Sequence, residues 1–318
     1  MWRHLLWKSL RYACSFGLLL LLNFLLPRCM PGDPLVHLLG VEDYVRFPEM
    51  VDQVRARYGL DRPQTTQFAL YLRNLAEGDL GHSFHYGVPV GGLVTRRLAW
   101  TLVLVLPALG LGGLLAGALG AVAGWRSGGR GERWLTLGIL SLRSVPQYGL
   151  AMLALFFLAF KLDAFPLGGL STERGAIDVA RHALLPVIVL TLSSAAHLYL
   201  VMRNTVVDVC PRPFITAARA RGLSSTAVLL RHVMPNALLP FLALFALGLG
   251  FSVAGALLVE VVFSWPGMGT LILSAVENRD YPLLQGCFLV ITVSVLAANW
   301  LNDVLAGFID PRLRRGTT

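Results

Sequence analysis

The sequence predicts an all-α polytopic membrane protein with six transmembrane helices, on three observations. The chain of 318 residues is 55% hydrophobic and only 14% charged, with a mean hydropathy of +0.64, whereas soluble globular chains carry about 25% charged residues. Five apolar runs are long enough to cross a hydrocarbon core of about 30 Å, which takes about 20 helical residues, and a shorter run precedes them. The basic residues are concentrated in alternate loops between these runs, as the positive-inside rule requires.

The first apolar run, residues 12–26, follows three basic residues and therefore has the form of a secretory signal peptide. No small-x-small cleavage site follows, because the chain continues Leu26-Pro27-Arg28-Cys29. A lipoprotein-type site would need a small residue in place of Arg28. We therefore expect residues 1–27 to form a cytoplasmic N-terminus and a retained first transmembrane helix.

The other five runs are predicted as transmembrane helices at 98–124, 134–160, 182–202, 236–260 and 283–305. In the first of these five, Gly113 and Gly117, and then Gly120 and Gly124, are four residues apart. Small residues at that spacing let two helix backbones approach closely. The run 134–160 differs from the others because it contains Arg143, about nine residues or ~13 Å from its start at the helical rise.

The distribution of basic residues sets the orientation. With the N-terminus in the cytoplasm, the short cytoplasmic segments hold fourteen lysines and arginines, and the two short outer loops hold four. The long outer segment 28–97 is largely exempt from the rule, and its eight arginines are balanced by eight acids. We predict both termini in the cytoplasm, including the tail 311–318. The net charge of +9 then lies along the inner membrane face, so we expect lipid and no nucleic acid as its partner.

The segment 28–97 is predicted to be a small folded element outside the membrane. Residues 49–58 have helical spacing, the pattern breaks at Gly59, and an amphipathic pattern begins again after Pro63. The rest of the chain, 98–310, is predicted to be a core of five transmembrane helices with a cytoplasmic loop at 203–235. The segment 28–97 and the loop 264–282 are the sizeable outer surfaces, and they are therefore the candidates for docking a partner protein outside the membrane. Simple linkage between helices is the alternative role for them.

Several kinds of chemical machinery are missing from the sequence. A phosphate-binding loop of the form G-x-x-x-x-G-K-S/T needs a lysine after a glycine, but Lys8 follows Trp7 and Lys161 follows Phe160. The four cysteines have no metal-ligand spacing, and the histidines at 82 and 85 have no obvious third ligand. We expect no catalytic residue, no metal site and no cofactor bound by this chain.

Paired carboxylates inside the membrane, which a proton-coupled carrier would need, are also missing. Glu260 and Asp303 lie near the ends of predicted helices, where we expect water to reach them. These observations disfavour a self-powered pump or a proton symporter. A secondary carrier and a membrane scaffold without an ATPase remain the alternatives of a different class.

Residues 215–240, ITAARARGLSSTAVLLRHVMPNALLP, carry three arginines and no acid, and they lie between long apolar runs. The pattern predicts a short helix at 214–221 that ends at Gly222. A second helix is predicted through 227–233, capped by Ser224. Pro235 then leads into the next transmembrane helix.

The first of these short helices has a composition that suits a binding surface. Ala217, Ala218 and Ala220 are small enough to let another surface come close, and Arg219 and Arg221 can meet acidic or carbonyl groups at its rim. The alternative is an amphipathic helix that rests on anionic lipid headgroups. Such a helix needs large apolar anchors, which alanines do not supply, so a protein partner is favoured.

The same stretch resembles the EAA loop of inner-membrane permease subunits of binding-protein-dependent ABC importers, which is E-A-A, three residues, glycine, nine residues and then I-x-L-P. The spacing is complete, and the positions that match are Ala217, Ala218, Gly222 and Pro235. Thr216 takes the place of the glutamate, and the isoleucine and leucine before the proline are also replaced. In that family the loop is a coupling helix seated in a groove of a separate ATPase.

Four further stretches, GDPLVHLLG, RYGLDRPQTTQF, GDLGHSFHYGVPVGGLV and VFSWPGMGTLILSAVENRDYPLLQG, are similar to the subfamily that imports peptides and nickel. The resemblance implies an inner-membrane permease subunit whose partners are a second, similar permease, two cytoplasmic ATPases that bind ATP, and an extracytoplasmic substrate-binding protein. It implies peptides as the cargo, with nickel or a metal chelate as the alternative. It also implies ATPase coupling through Thr216, Ala217, Ala218, Arg219, Arg221, Gly222 and Pro235.

Arg143 is a separate candidate, because a charge within a transmembrane helix usually faces a cavity or a partner. Ser141, Ser144 and Gln147 beside it are also polar. We expect Arg143, Ser144 and Gln147 to line a translocation pathway. A hydrogen-bonded node between helices is an equal alternative.

Overall fold

The structure, a computed structural model, describes residues 2–170 and 175–309. Within these ranges the secondary structure is helical, apart from an isolated antiparallel bridge between His82 and Pro89. The prediction of an all-α chain is confirmed. The chain divides into two units, Met1–Trp100 with Pro266–Leu296 and Thr101–Trp265 with Ala297–Thr318. The predicted tail 311–318 lies outside the described residues.

The helices have the following bounds in chain order. They are α1 (Trp2–Arg28), α2 (Pro34–Leu39), α3 (Val41–Arg46), α4 (Pro48–Arg57), α5 (Gln64–Ala76), α6 (Val90–Trp125), α7 (Arg130–Ser144), α8 (Gln147–Ala154), α9 (Ala176–Val209), α10 (Pro213–Ala220), α11 (Ser225–Val228), α12 (Met234–Val262), α13 (Met268–Glu277) and α14 (Tyr281–Ile309). Within the described ranges there are also two π-helical turns, Leu155–Lys161 after α8 and Leu229–Val233 before α12.

Among the described residues, five helical segments are long and apolar enough to cross a membrane. They are Ser9–Arg28, Val90–Trp125, Ala176–Val209, Ser225–Gly248 and Tyr281–Leu301. A sixth crossing results if the bent pair Arg130–Ser144 and Gln147–Lys161 counts as one span. Length and composition therefore give five or six candidate spans where the sequence predicted six.

The segment predicted as one transmembrane helix at 134–160 consists of two helices, because the chain bends by 96° between α7 and α8. Pro146 has no N–H to donate, and its ring disfavours helical backbone in the residue before it. Val145 is accordingly extended, with φ −82° and ψ 125°. Arg143 therefore lies in the last turn of α7 beside the break and is not held deep within a continuous helix.

In the second unit, α6 packs against α9 at backbone distance. A Cβ added at Gly120 would lie 2.8 Å from the carbonyl oxygen of Tyr199, and one at Gly124 would lie 2.6 Å from the carbonyl oxygen of Arg203. Both distances are shorter than any ordinary van der Waals contact. The predicted close approach of two helix backbones is confirmed at these two glycines.

The glycine pair at 113 and 117 faces a different neighbour. A Cβ at Gly113 would lie 2.5 Å from the ring of Phe245, and one at Gly117 would lie 3.8 Å from the ring of Phe241. Both rings belong to α12. One side of α6 therefore meets the backbone of α9, and an adjacent side takes the aromatic side chains of α12.

A buried ion pair joins α7 to α9. Arg203 Nε donates to Glu132 Oε1 at 2.7 Å, and Glu132 is only 8% exposed. The hydroxyl of Thr136 donates to the same carboxylate at 3.0 Å and lies 2.8 Å from the hydroxyl of Tyr199. Because a buried carboxylate without partners is strongly destabilising, this network fixes where α7 starts relative to α9.

Glu260, in the last turn of α12, corrects another expectation. Its side chain is fully buried, so water does not reach it. The sequence had predicted the opposite, that Glu260 would be accessible to water. The chain folds back just beyond it, since the N–H of Trp265 donates to the carbonyl of Glu260 at 2.8 Å and Trp265 is itself buried. The side chain of Asp303 lies outside the described side chains.

In the first unit, the segments predicted as two outer surfaces pack on each other through Asp280. Its carboxylate is fully buried and accepts hydrogen bonds from the hydroxyl of Ser83, from the N–H of His85 at 3.0 Å and from the N–H of Leu283 at 3.2 Å. The hydroxyls of Tyr86 and Ser274 add a further contact at 3.0 Å. The loop at 81–89 is therefore held on the α13–α14 turn by one carboxylate.

Replacing Gly120 with alanine tests the close packing of α6 on α9. The added Cβ has no room, so we expect Gly120→Ala to lower the free energy of unfolding by about 1–3 kcal/mol, the usual penalty of overpacking. Gly110 on the same helix has open space around it, and Gly110→Ala should be neutral or slightly stabilising because alanine is the better helix former. Thermal unfolding in detergent measures both, and equal effects would contradict the packing.

Replacing Asp280 with alanine tests the tie in the first unit. We expect faster amide hydrogen exchange in residues 82–90, because each buried donor left without a partner costs about 1–3 kcal/mol. Glu77→Ala is the control, since the salt bridge between Glu77 and Arg73 joins two side chains that are 61% and 73% exposed. Unchanged exchange in Asp280→Ala would show that the carboxylate does not hold the loop.

Candidate functional site

The arginine-bearing stretch after α9 forms a helix, a glycine and a second helix, as predicted. Pro213 begins α10, where the missing N–H of a first-turn proline has no consequence. α10 ends at Ala220, and Gly222 follows with φ +80°, a left-handed conformation that glycine adopts without strain. Ser224 Oγ accepts from the N–H of Ala227 at 3.3 Å and caps α11.

The second helix does not stop before the next candidate span, and in this respect the prediction of a separate helix at 227–233 was wrong. α11 passes through the π-helical turn Leu229–Val233 directly into α12, giving one apolar helix over Ser225–Gly248. Pro235 lies in the first turn of α12. A proline cannot donate to the carbonyl four residues back, and a wider π turn accommodates such an interruption while the helix continues.

α10 is fixed to the body of the second unit by one face. Ile215 is fully buried and Ala218 is 5% exposed. Both belong to a hydrophobic cluster built from the ends of α6, α9 and α12, which also contains Ala121, Met202, Val206, Val209, Val228, Val233 and Phe241. Burying an isoleucine side chain contributes about 1.5–3 kcal/mol, so α10 is part of the packed core.

The opposite face of α10 is exposed. Thr216, Ala217, Arg219, Arg221 and Gly222 are all exposed, and so is Pro235 at the start of α12. Ala218 is not, because it lies three residues after Ile215 and therefore on the same side of the helix. Of the three alanines that were expected to form a contact surface, Ala217 and Ala220 are therefore the two that remain exposed.

Arg219 also contacts its own chain. Its guanidinium carbon lies 5.0 Å from the centroid of the Trp125 ring at the end of α6, in cation–π geometry. Cys210, in the turn before α10, is partly buried, and this burial raises the pKa of its thiol while the charge of Arg219 acts weakly in the opposite direction. Arg219 therefore packs against its own chain in the second unit. The sequence had predicted only a contact between Arg219 and the rim of a partner.

The second unit also contains a cavity of about 490 Å³. Of the three predicted pathway residues, only Gln147 is among its lining residues, while Arg143 and Ser144 are exposed beside the break. The lining also contains Ser193, Ser194, His197 and Ser252, which the sequence analysis did not single out. For Ser193, Ser194 and His197 the sequence signal was three polar residues within the stretch SSAAH of an apolar span.

Comparison with known proteins identifies the family. The sequence matches the family described as "Binding-protein-dependent transport system inner membrane component" over residues 113–315. The oligopeptide transport system permease protein AppB of Bacillus subtilis is 31% identical over 301 residues, covering 92% of this chain and 93% of its own. The di/tripeptide transport system permease protein DppB of Pseudomonas aeruginosa is 32% identical over 327 residues, with the same two shares.

A third relative is named for a different cargo. The glutathione transport system permease protein GsiC of Escherichia coli is 33% identical over 296 residues, covering 92% of both chains. A crystal structure of an amino acid ABC transporter matches with a TM-score of 0.48 and 16% identity, covering 70% of this chain and 94% of that one. The chain belongs to the family of inner-membrane components of binding-protein-dependent transport systems, and it is therefore a permease subunit of an ABC transporter and not an enzyme.

Proposed function

We propose that this chain supplies half of the translocation pathway of an ABC importer for peptides. Relatives that match over more than nine-tenths of the chain are named as permeases for oligopeptides and for di- and tripeptides. The partners are a second, similar permease, two cytoplasmic ATPases that bind and hydrolyse ATP, and a substrate-binding protein outside the membrane. Nickel or a metal chelate is the alternative cargo for the same machinery.

The observation that carries the proposal is the two-sided character of α10. Its inner face, Ile215 and Ala218, is locked into the same cluster as α9 and α12. Its outer face presents Thr216, Ala217 and Arg221 to a partner. A displacement of α10 by an ATPase therefore moves the ends of α9 and α12, two helices whose middle parts line the cavity. Such coupling requires that the ATPases bind the two states with different affinity.

The proposed topology places both termini and the loop 203–235 in the cytoplasm. The excess of arginine and lysine in the cytoplasmic segments supports this orientation. The outer element is then the segment 28–97 with the α13–α14 turn, whose contacts through Asp280 make one surface of two distant pieces of chain. That surface is the proposed docking site for the binding protein.

The orientation is testable by labelling two exposed threonines. In a chain whose four cysteines are replaced by serine, Thr226→Cys lies in α11 and Thr65→Cys lies in α5. We expect a membrane-impermeant maleimide to label Thr226→Cys only in inside-out vesicles and Thr65→Cys only in right-side-out vesicles. The reverse pattern would overturn both the topology and the ATPase contact.

The coupling role is testable at Gly222. A valine there must adopt φ +80°, which β-branched residues avoid, so α10 must shift against α11. We expect Gly222→Val to lower ATP-dependent peptide uptake about tenfold or more, the scale of a lost coupling free energy of 1–3 kcal/mol. The basal ATPase rate of the assembled complex should remain.

Gly175 provides the matched control. It has φ +83° and open space around it, as Gly222 has, but it lies at the other end of α9. Gly175→Val carries the same backbone strain, about 1–2 kcal/mol for a left-handed residue. Because Gly175 lies outside the coupling surface, we expect uptake by this variant to stay within about twofold of that of the unsubstituted importer. Equal losses in both variants would contradict a special role of Gly222.

A further inference from the structure

The cavity in the second unit lies between two facing helix stripes. On α9 it is lined by Leu190, Ser193, Ser194, His197 and Leu198, and on α12 by Leu244, Leu247, Gly248, Phe251, Ser252 and Gly255. Both sets recur every three or four residues, so each is one side of its helix. Val105, Ala108 and Leu109 of α6 and Gln147 of α8 complete the lining.

The bend at Pro146 is what brings Gln147 into this lining. Gln147 is the first residue of α8, immediately after the 96° turn. Inside a membrane, irregular backbone is tolerated where it is buried in protein or borders a cavity. The break and the cavity are therefore parts of one feature of the fold.

The cavity is lined mainly by apolar residues, with a few neutral polar groups among them. Most of the described lining residues are aliphatic, aromatic or glycine, and none of these described residues is acidic, lysine or arginine. Within the described part of the chain, the side chains of Gln147, Ser193 and His197 form no hydrogen bond. Amide, hydroxyl and imidazole groups offer both donors and acceptors, so these three can meet the N–H and C=O groups of a peptide.

The size of the cavity fits a small ligand. Its volume of about 490 Å³ falls within the range of about 300–1,000 Å³ that is typical of small-molecule sites, which are largely apolar with a few convergent polar groups. A peptide with an apolar side chain has this combination of groups, and a free metal cation does not. A lipid acyl chain would use the apolar part of the lining only.

We infer that this cavity is a transport subsite for peptides, which receives an apolar side chain while Gln147, Ser193 and His197 hydrogen-bond the peptide backbone. The inference rests on the proposed function as a peptide importer. It adds a selectivity step within the permease itself, so that peptides delivered equally well to the permease cross it at different rates.

Two glycines keep the cavity open. A Cβ at Gly255 would lie 3.7 Å from Oε1 of Gln147, and one at Gly248 would lie 3.9 Å from Cδ1 of Leu109. Both are ordinary contact distances, so a side chain at either position projects into empty space without a backbone clash. Replacing a glycine inside α12 also improves helix propensity by about 1 kcal/mol, and a filled cavity is therefore compatible with a folded chain.

The test is uptake of two dipeptides by the complete importer in proteoliposomes, at saturating binding protein and ATP. Gly255→Leu fills the cavity from α12. We expect it to lower the maximal uptake rate of alanyl-phenylalanine about tenfold or more, which is the scale on which an apolar pocket distinguishes substrates. The maximal uptake rate of alanyl-glycine should stay within about twofold of that of the unsubstituted importer. Ser252→Leu fills the cavity from the neighbouring turn and gives the same readout if Gly255→Leu does not assemble.

Gly110→Leu is the matched control. Gly110 is exposed on α6 with open space around it and does not line the cavity, so this variant should transport both dipeptides at the rates of the unsubstituted importer. An unchanged ratio of the two rates in Gly255→Leu, whether both fall together or neither falls, overturns the subsite and leaves the proposed function standing. Absence of dipeptide uptake by the unsubstituted importer overturns both.

Discussion

The close approach of α6 to α9 is the constraint on which the second unit depends. Gly120 and Gly124 bring the two backbones within contact distance, and this is possible only because neither residue has a side chain. In a membrane, helices associate mainly through such close packing, since lipid offers no hydrophobic gain on contact. The Glu132–Arg203 pair then adds α7 to the same end of α9. α7, α10 and α12 all pack on this pair of helices.

The hydrophobic cluster at this end of the helices holds α10 in place. Met202 and Val206 of α9 lie beside the glycine row, and they pack with Ile215 and Ala218 of α10. A short helix of this kind has little stability of its own, because helix nucleation is unfavourable and eight residues cannot offset it. α10 therefore owes its position to burial of one face. The opposite face is left with exposed alanine and arginine, which is the arrangement a surface helix needs for both anchoring and contact.

The break at Pro146 shows how a local irregularity can define a site. Proline removes one backbone hydrogen bond and forces Val145 into extended backbone. A transmembrane segment with such a defect needs protein or a cavity around it, and Gln147 borders the cavity between α9 and α12. In the first unit the comparable element is Asp280, a buried carboxylate that satisfies donors from two distant pieces of chain. Both are single residues that determine the path of a longer segment.

The sequence by itself determined the class of fold, the candidate spans and the helix–glycine–helix form of residues 213–228, because apolar run length, capping and glycine are local properties. It could not determine which face of α10 is buried, since that depends on α6, α9 and α12, which are distant in sequence. For the same reason Ala218 was assigned to the exposed surface, and Glu260 was expected in water. The bend within the predicted span 134–160 was missed because the apolar run continues through Pro146. Only the tertiary structure brought Gln147, Ser193 and His197 around one cavity, because a cavity is made by the packing of several helices.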